Sequence, residues 1–178
     1  MRLSHGISAL FFAIALGGCG RSPVTPSTTA LPVARPVAEA DLTDLPFKGQ
    51  IDGHLVTSPT QVPTILNGVA HAVGFGTQVG SFTKVTRDVI DLATDTVTGS
   101  FTMTAANGDL LTGVYSGPFV FGAPGTFSWV LPATITGGTG RFSGASGSFV
   151  FKANVAFTGA NGVFEGTYSE TFDGTIRH

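Results

Sequence analysis

The chain has 178 residues, with 9 Lys+Arg against 11 Asp+Glu, a formal charge of -2, 42% hydrophobic and only 11% charged residues. That length holds one full domain. The near-neutral balance offers no basic footprint for a phosphate backbone, so nucleic acid is excluded as an expected partner.

The N-terminus carries an address. Arg2 and His5 precede the apolar run Ile7 to Leu16, which is followed by Leu16-Gly17-Gly18-Cys19. The run falls well short of the ~20 apolar residues that cross a bilayer, and its basic start and small-residue exit are those of a secretion signal. Cys19 is the chain's single cysteine, so no disulfide can form within one chain. It stands where a bacterial lipoprotein carries its acylated first mature residue, which assigns residues 1–18 to a lipoprotein signal peptide and Cys19 to lipidation. Acyl chains contribute ~0.8 kcal/mol per buried methylene, so two or more anchor the protein stably to a membrane. The next residue is Gly20 and not Asp, which in a Gram-negative host directs the chain, once secreted across the inner membrane, to the outer membrane.

Residues 19–46 form a disordered tether. Pro23, Pro26, Pro32, Pro36 and Pro46 remove backbone donors and favour extended conformations, and no periodic apolar face interrupts them.

From Phe47 the hydrophobic period is two. Val97, Gly99, Phe101 and Met103 alternate with Thr96, Thr98, Ser100, Thr102 and Thr104. Phe127, Trp129, Leu131, Ala133 and Ile135 repeat the alternation, as do Phe149, Phe151, Ala153, Val155 and Phe157. Turn signals at Asn107-Gly108-Asp109, Gly137-Gly138-Thr139-Gly140 and Thr158-Gly159-Ala160-Asn161-Gly162 divide the run. About eight strands follow: Phe47–Val56, Val69–Thr77, Phe82–Leu92, Thr96–Thr104, Leu110–Gly117, Phe127–Thr136, Ser146–Phe157 and Val163–Phe172. The expected fold is all-β, a single antiparallel eight-stranded β-barrel over residues 47–178, whose interior side chains fill or which holds one small ligand. Gly74, Gly76, Gly99, Gly113 and Gly166 are expected to permit bends at barrel corners.

Thr77 to Thr83, Phe101 to Asp109, Ile135 to Ser148 and Gly166 to Ile176 together resemble small bacterial proteins of the allene oxide cyclase and dirigent-like barrel superfamily. The most specific stretch is Gly138-Thr139-Gly140-Arg141-Phe142-Ser143-Gly144-Ala145-Ser146-Gly147. The resemblance spans about Phe47 to Arg177 and implies a β-barrel; most small bacterial members have no assigned activity. Plant members cyclise fatty-acid epoxides or steer phenoxy-radical coupling, and form trimers or dimers. Many bacterial relatives carry a His two residues before the position of Gly80, where this chain has Gln78, which removes a titratable group from that strand.

Chemistry-bearing patterns are sparse. No Ser lies in a Gly-x-Ser-x-Gly elbow, Ser81, Ser143 and Ser146 occupy strand or turn contexts, and His54, His71 and His178 show no metal-ligand spacing. No metal and no cofactor are expected. Arg141 reads as a loop tie through backbone carbonyls. By parity Glu170 shares a face with Phe164, Tyr168 and Phe172, and Lys84 and Asp88 share one with Phe82 and Ile90. On a water-facing strand these charges are ordinary; on an inward face Glu170 and Asp88 become the candidate acid/base groups. Phe101, Tyr115, Trp129, Phe151 and Tyr168 are the candidate lining of an apolar pocket. Three functional readings stand open: a lipid-anchored envelope barrel that binds a small hydrophobic ligand, a cyclase or isomerase acting on an apolar substrate, and a structural module with a filled interior. Inward carboxylates beside a cavity favour the enzyme, a dry cavity without ionisable groups the binder, and no cavity the structural module. No run of residues marks an oligomer interface.

Overall fold

The computed structural model describes residues 43–161 and 163–178. The signal peptide, Cys19 and nearly all of the expected tether lie outside the described residues. Eight strands are present: β1 (Leu45–Pro59), β2 (Ile65–Gly76), β3 (Gly80–Asp91), β4 (Thr96–Ala105), β5 (Leu110–Phe121), β6 (Thr126–Gly138), β7 (Ser146–Ala160) and β8 (Val163–Arg177). Each strand pairs antiparallel with its neighbour in sequence, and β1 closes on β8 through Leu45↔Ile176 to Val56↔Glu165. The expected all-β, eight-stranded closed barrel is the observed one.

Several strands run further than the sequence pattern indicates. Leu45 and Pro46, read as the end of the tether, belong to β1, where Arg177 pairs with Asp44 and Pro46 lies opposite Thr175. β5 does not stop at Gly117 but passes through Pro118 to Phe121. The β5–β6 register shifts between Thr112 and Gly113; further along it is unchanged, but no partners pair between Tyr115↔Ala133 and Phe119↔Trp129, and this is where Pro118 and Pro132, which have no amide hydrogen, fall. The Pro is thus accommodated in a local opening of the ladder, and the strand continues beyond it with Phe119 facing inward.

The turns follow their local chemistry. Gly108 in the β4–β5 hairpin has φ 88°, and Asn161 in the β7–β8 connection has φ 56°, left-handed conformations that glycine and asparagine adopt most readily. A short 3₁₀ turn, Gly140–Phe142, links β6 to β7 and buries Phe142. Arg141 Nη2 donates to Val79 O at 2.8 Å, the loop tie expected of it.

The barrel interior divides along its axis. At one end Phe47, Phe149 and Phe172 form an aromatic plug, with Phe47 and Phe149 edge to face at 5.1 Å, and Val79 and Phe142, both essentially inaccessible, cap it. The inward glycines serve this packing. Phe101 lies flat against Gly113, and a Cβ at Gly113 would meet both the Phe101 ring and Thr134 O. Tyr168 rests in the same way on Gly53, where a Cβ would stand 2.6 Å from its hydroxyl oxygen. An eight-stranded barrel has little internal width, so each ring that crosses it needs a facing position without a side chain.

Gly113→Ala is expected to lower stability by about 1–3 kcal/mol through overpacking, read as a fall in the urea midpoint at unchanged slope. An unchanged midpoint would show that the Phe101 ring is not confined there.

Candidate functional site

Midway along the barrel the inner face of β3 carries Lys84, Thr86 and Asp88, three successive inward positions. β8 supplies Tyr168 and Glu170, β5 supplies Tyr115, and β6 supplies Trp129. Lys84, Asp88 and Glu170 are 3%, 8% and 3% exposed, so the alternative placement of these charges toward water is corrected by the structure. The reason is parity: Phe82 and Phe172 are anchored in the plug, and strand alternation then turns Lys84, Asp88 and Glu170 inward with them.

The cluster is internally bonded. Lys84 Nζ forms a buried ion pair with Glu170 Oε2 and stands 4.3 Å from the centre of the Phe151 ring, so its charge is met by a carboxylate and an aromatic face. Trp129 Nε1 donates to Glu170 Oε1 at 3.0 Å. Asp88 accepts from Thr86 Oγ1 at 2.9 Å and from the Tyr115 hydroxyl. Desolvation pushes the Asp88 carboxyl above its ordinary value of 3.8; the bonds from Tyr115 and Thr86 and the charge of Lys84 oppose that rise, and Glu170 adds to it. Burial, and then the neighbouring carboxylates, push both tyrosine hydroxyls up, so both remain protonated donors. Removing one member of a buried ion pair costs about 3–5 kcal/mol because the other charge is left uncompensated.

One polar atom stands apart. Among the described residues, the Tyr168 hydroxyl is the buried side-chain polar atom without a hydrogen-bond partner. Leaving such a group unpaired costs about 1–3 kcal/mol.

Two spaces with shared walls lie here. A small chamber of about 20 Å³ is bordered by Lys84, Thr86, Asp88, Tyr115, Tyr168 and Glu170, enough for one water-sized group. Outward of it, at the end opposite the plug, lies an apolar chamber of about 110 Å³. Leu55, Ile90, Val97 and Trp129 wall both. Leu66, Phe119, Phe127, Phe157 and Phe164 complete the apolar walls, with the half-exposed Phe121 at the rim. Thr57 and Trp129 are its wall residues with polar side-chain atoms, and both are engaged: Phe164 N donates to Thr57 Oγ1 at 2.9 Å, and Trp129 binds Glu170.

The structure therefore sorts the expected site residues. Trp129 lines the apolar chamber, Tyr115, Tyr168, Asp88 and Glu170 form the polar floor, and Phe101 and Phe151 lie in the packed interior and border neither space. The walls Leu55, Leu66, Ile90, Val97 and Phe119 escaped sequence reading, although the inward parity of Ile90 and Val97 was available. His54 and His71, distant in sequence, lie directly opposite each other on the outer faces of β1 and β2. Among the described residues no group of three or more His, Cys, Asp or Glu side chains is placed to hold a metal ion.

No family model matches the chain, and no curated protein matches it. Among solved structures the chain is similar to that of a pterocarpan synthase dirigent protein, at 14% identity over 82% of this chain and 98% of that one, with a TM-score of 0.42.

Asp88 gives the site a pH signature. Its folded-state pKa is raised, so the native protein holds this proton more tightly than the unfolded chain, and Asp88 makes stability fall as pH rises from 3.8 through the folded value. Asp88→Asn is expected to abolish this component, so that wild-type and variant urea midpoints, measured from pH 4 to pH 8, diverge in the variant's favour as pH rises. Parallel profiles would show that Asp88 is not raised.

Proposed function

We propose that the protein is a receptor for a small apolar molecule, held in the open end of the barrel with its inner end at the polar floor. The observation that carries this reading is the asymmetry of the interior: aromatic side chains pack one end, while the other keeps a chamber of about 110 Å³ walled by apolar groups. Apolar cavities of about 150 Å³ take a benzene-sized guest, and the present chamber is extended by its open rim. Pockets of this kind, apolar with a few convergent polar groups, are the usual form of a small-molecule site.

A second reading is supported by Asp88. A carboxyl whose pKa burial raises, with Tyr115 and Glu170 beside it, is suited to pass a proton to a substrate oxygen and take one back. This would make the barrel an isomerase or cyclase in which the apolar walls also hold the substrate in a reactive conformation. The resemblance to the allene oxide cyclase and dirigent-like superfamily supports both readings at the level of fold.

We further propose that Cys19 is acylated and that the barrel is displayed on the envelope by the Pro-rich segment that follows. The motif Leu16-Gly17-Gly18-Cys19 supports this reading. Oligomer formation through the barrel's outer surface belongs to the same proposal.

Trp129 is the chain's single tryptophan and stands in the chamber wall, so its emission reports on occupancy. Titration with toluene or ethylbenzene is expected to shift Trp129 emission saturably, and Val97→Phe, which fills the chamber, is expected to weaken binding at least ~10-fold, the loss of roughly one good apolar contact. No emission change with any small aromatic would remove the receptor reading. For the anchor, Cys19→Ser is expected to abolish labelling by radioactive palmitate and to move the protein from the membrane to the soluble fraction. Retention in the membrane fraction would remove it.

A further inference from the structure

We propose that the molecule received by the barrel is uncharged and ends in one acceptor oxygen, a carbonyl or ether, which takes the hydrogen bond that Tyr168 leaves unmade. The inference rests on the receptor reading and names its ligand class.

Three features of the floor lead to it. The first is demand. Every other buried side-chain donor of the cluster has a partner: Lys84 has Glu170, Trp129 has Glu170, and Tyr115 and Thr86 have Asp88. The Tyr168 hydroxyl, on a residue 4% exposed, has none. A protonated phenol has one hydrogen to give, so the complementary group is an acceptor.

The second feature is size. The space that Tyr168 borders measures about 20 Å³, room for one water-sized group such as a single oxygen. It shares the walls Leu55, Ile90, Val97 and Trp129 with the apolar chamber, so the body of a molecule with its oxygen at Tyr168 would be hydrocarbon or aromatic.

The third feature is charge. Lys84 is already neutralised by Glu170 and covered by the rings of Phe151 and Tyr168. An anionic end group would approach Glu170 and Asp88 with no free cation to meet it. An ammonium group has only donors, and would leave the Tyr168 hydrogen still unpaired. A neutral acceptor satisfies the floor without disturbing its ion pair.

The test uses the purified full-length chain and four probes of similar size, read by Trp129 emission: acetophenone, ethylbenzene, benzoate and benzylamine. Acetophenone is expected to bind about tenfold tighter than ethylbenzene, the worth of one buried hydrogen bond, and tighter than either charged probe. Tyr168→Phe is expected to erase the preference for acetophenone while leaving the ethylbenzene affinity unchanged, and not to lower the melting temperature of the free protein, because the hydroxyl it removes has no partner. Equal binding of acetophenone and ethylbenzene, tighter binding of benzoate or benzylamine, or an acetophenone preference that survives Tyr168→Phe would each overturn the proposal and leave the receptor reading standing. Failure of all four probes to shift the emission would overturn both.

Discussion

A lysine and two carboxylates closed inside a barrel of eight strands constrain everything around them. Ions removed from water are stable only when paired with good geometry and further hydrogen bonds, and here the pairing draws on much of the circumference. Lys84 comes from β3, Glu170 from β8, the indole on Glu170 from β6, and the hydroxyl on Asp88 from β5. Slipping any of these strands by one residue would turn its member of the cluster outward and strand the others. The polar floor thus specifies register, a task that apolar alternation alone performs loosely.

The same cluster separates two kinds of interior. On one side, rings pack into a plug, and in the packed interior and floor the rings fit against facing glycines: Gly113 beneath Phe101, Gly53 beneath Tyr168, and Gly99 beneath Tyr115. On the other side the walls are large apolar and aromatic side chains, and the chamber lies between them. Placing charges at the boundary gives the chamber an inner end with direction: a guest meets apolar walls first and hydrogen-bonding groups last. That polarity is what allows one cavity to support both the receptor reading and the proton-transfer reading, since the groups that would orient an oxygen are the groups that would exchange a proton with it.

How far the chain could be read before its structure was seen depends on the range of the interaction concerned. Alternation at Val97 to Met103 and Phe149 to Phe157, with the turn at Asn107-Gly108, is local, and it marked the strands, their inward faces and the class of fold. Parity likewise put Glu170 with Phe172 and Lys84 with Phe82. The strand from Leu110 runs past Gly117 through Pro118, whose missing hydrogen the neighbouring strand does not need where the pairing opens. The strand glycines were legible as special positions but not as ring platforms, because the ring that occupies each site is distant in sequence or on a neighbouring strand.

The sequence by itself determined the composition, the lipobox-like motif, the two-residue period and the choice of which side chains share a face, since all of these depend on neighbours a few residues apart. Only the tertiary structure decided that the shared faces point inward at Lys84, Asp88 and Glu170, that these groups meet, that Phe101 and Phe151 are packing and not lining, and that one end of the barrel is filled while the other is hollow. Those outcomes depend on closure of β1 on β8 and on the sum of ring volumes across a fixed circumference, and no local pattern contains that sum.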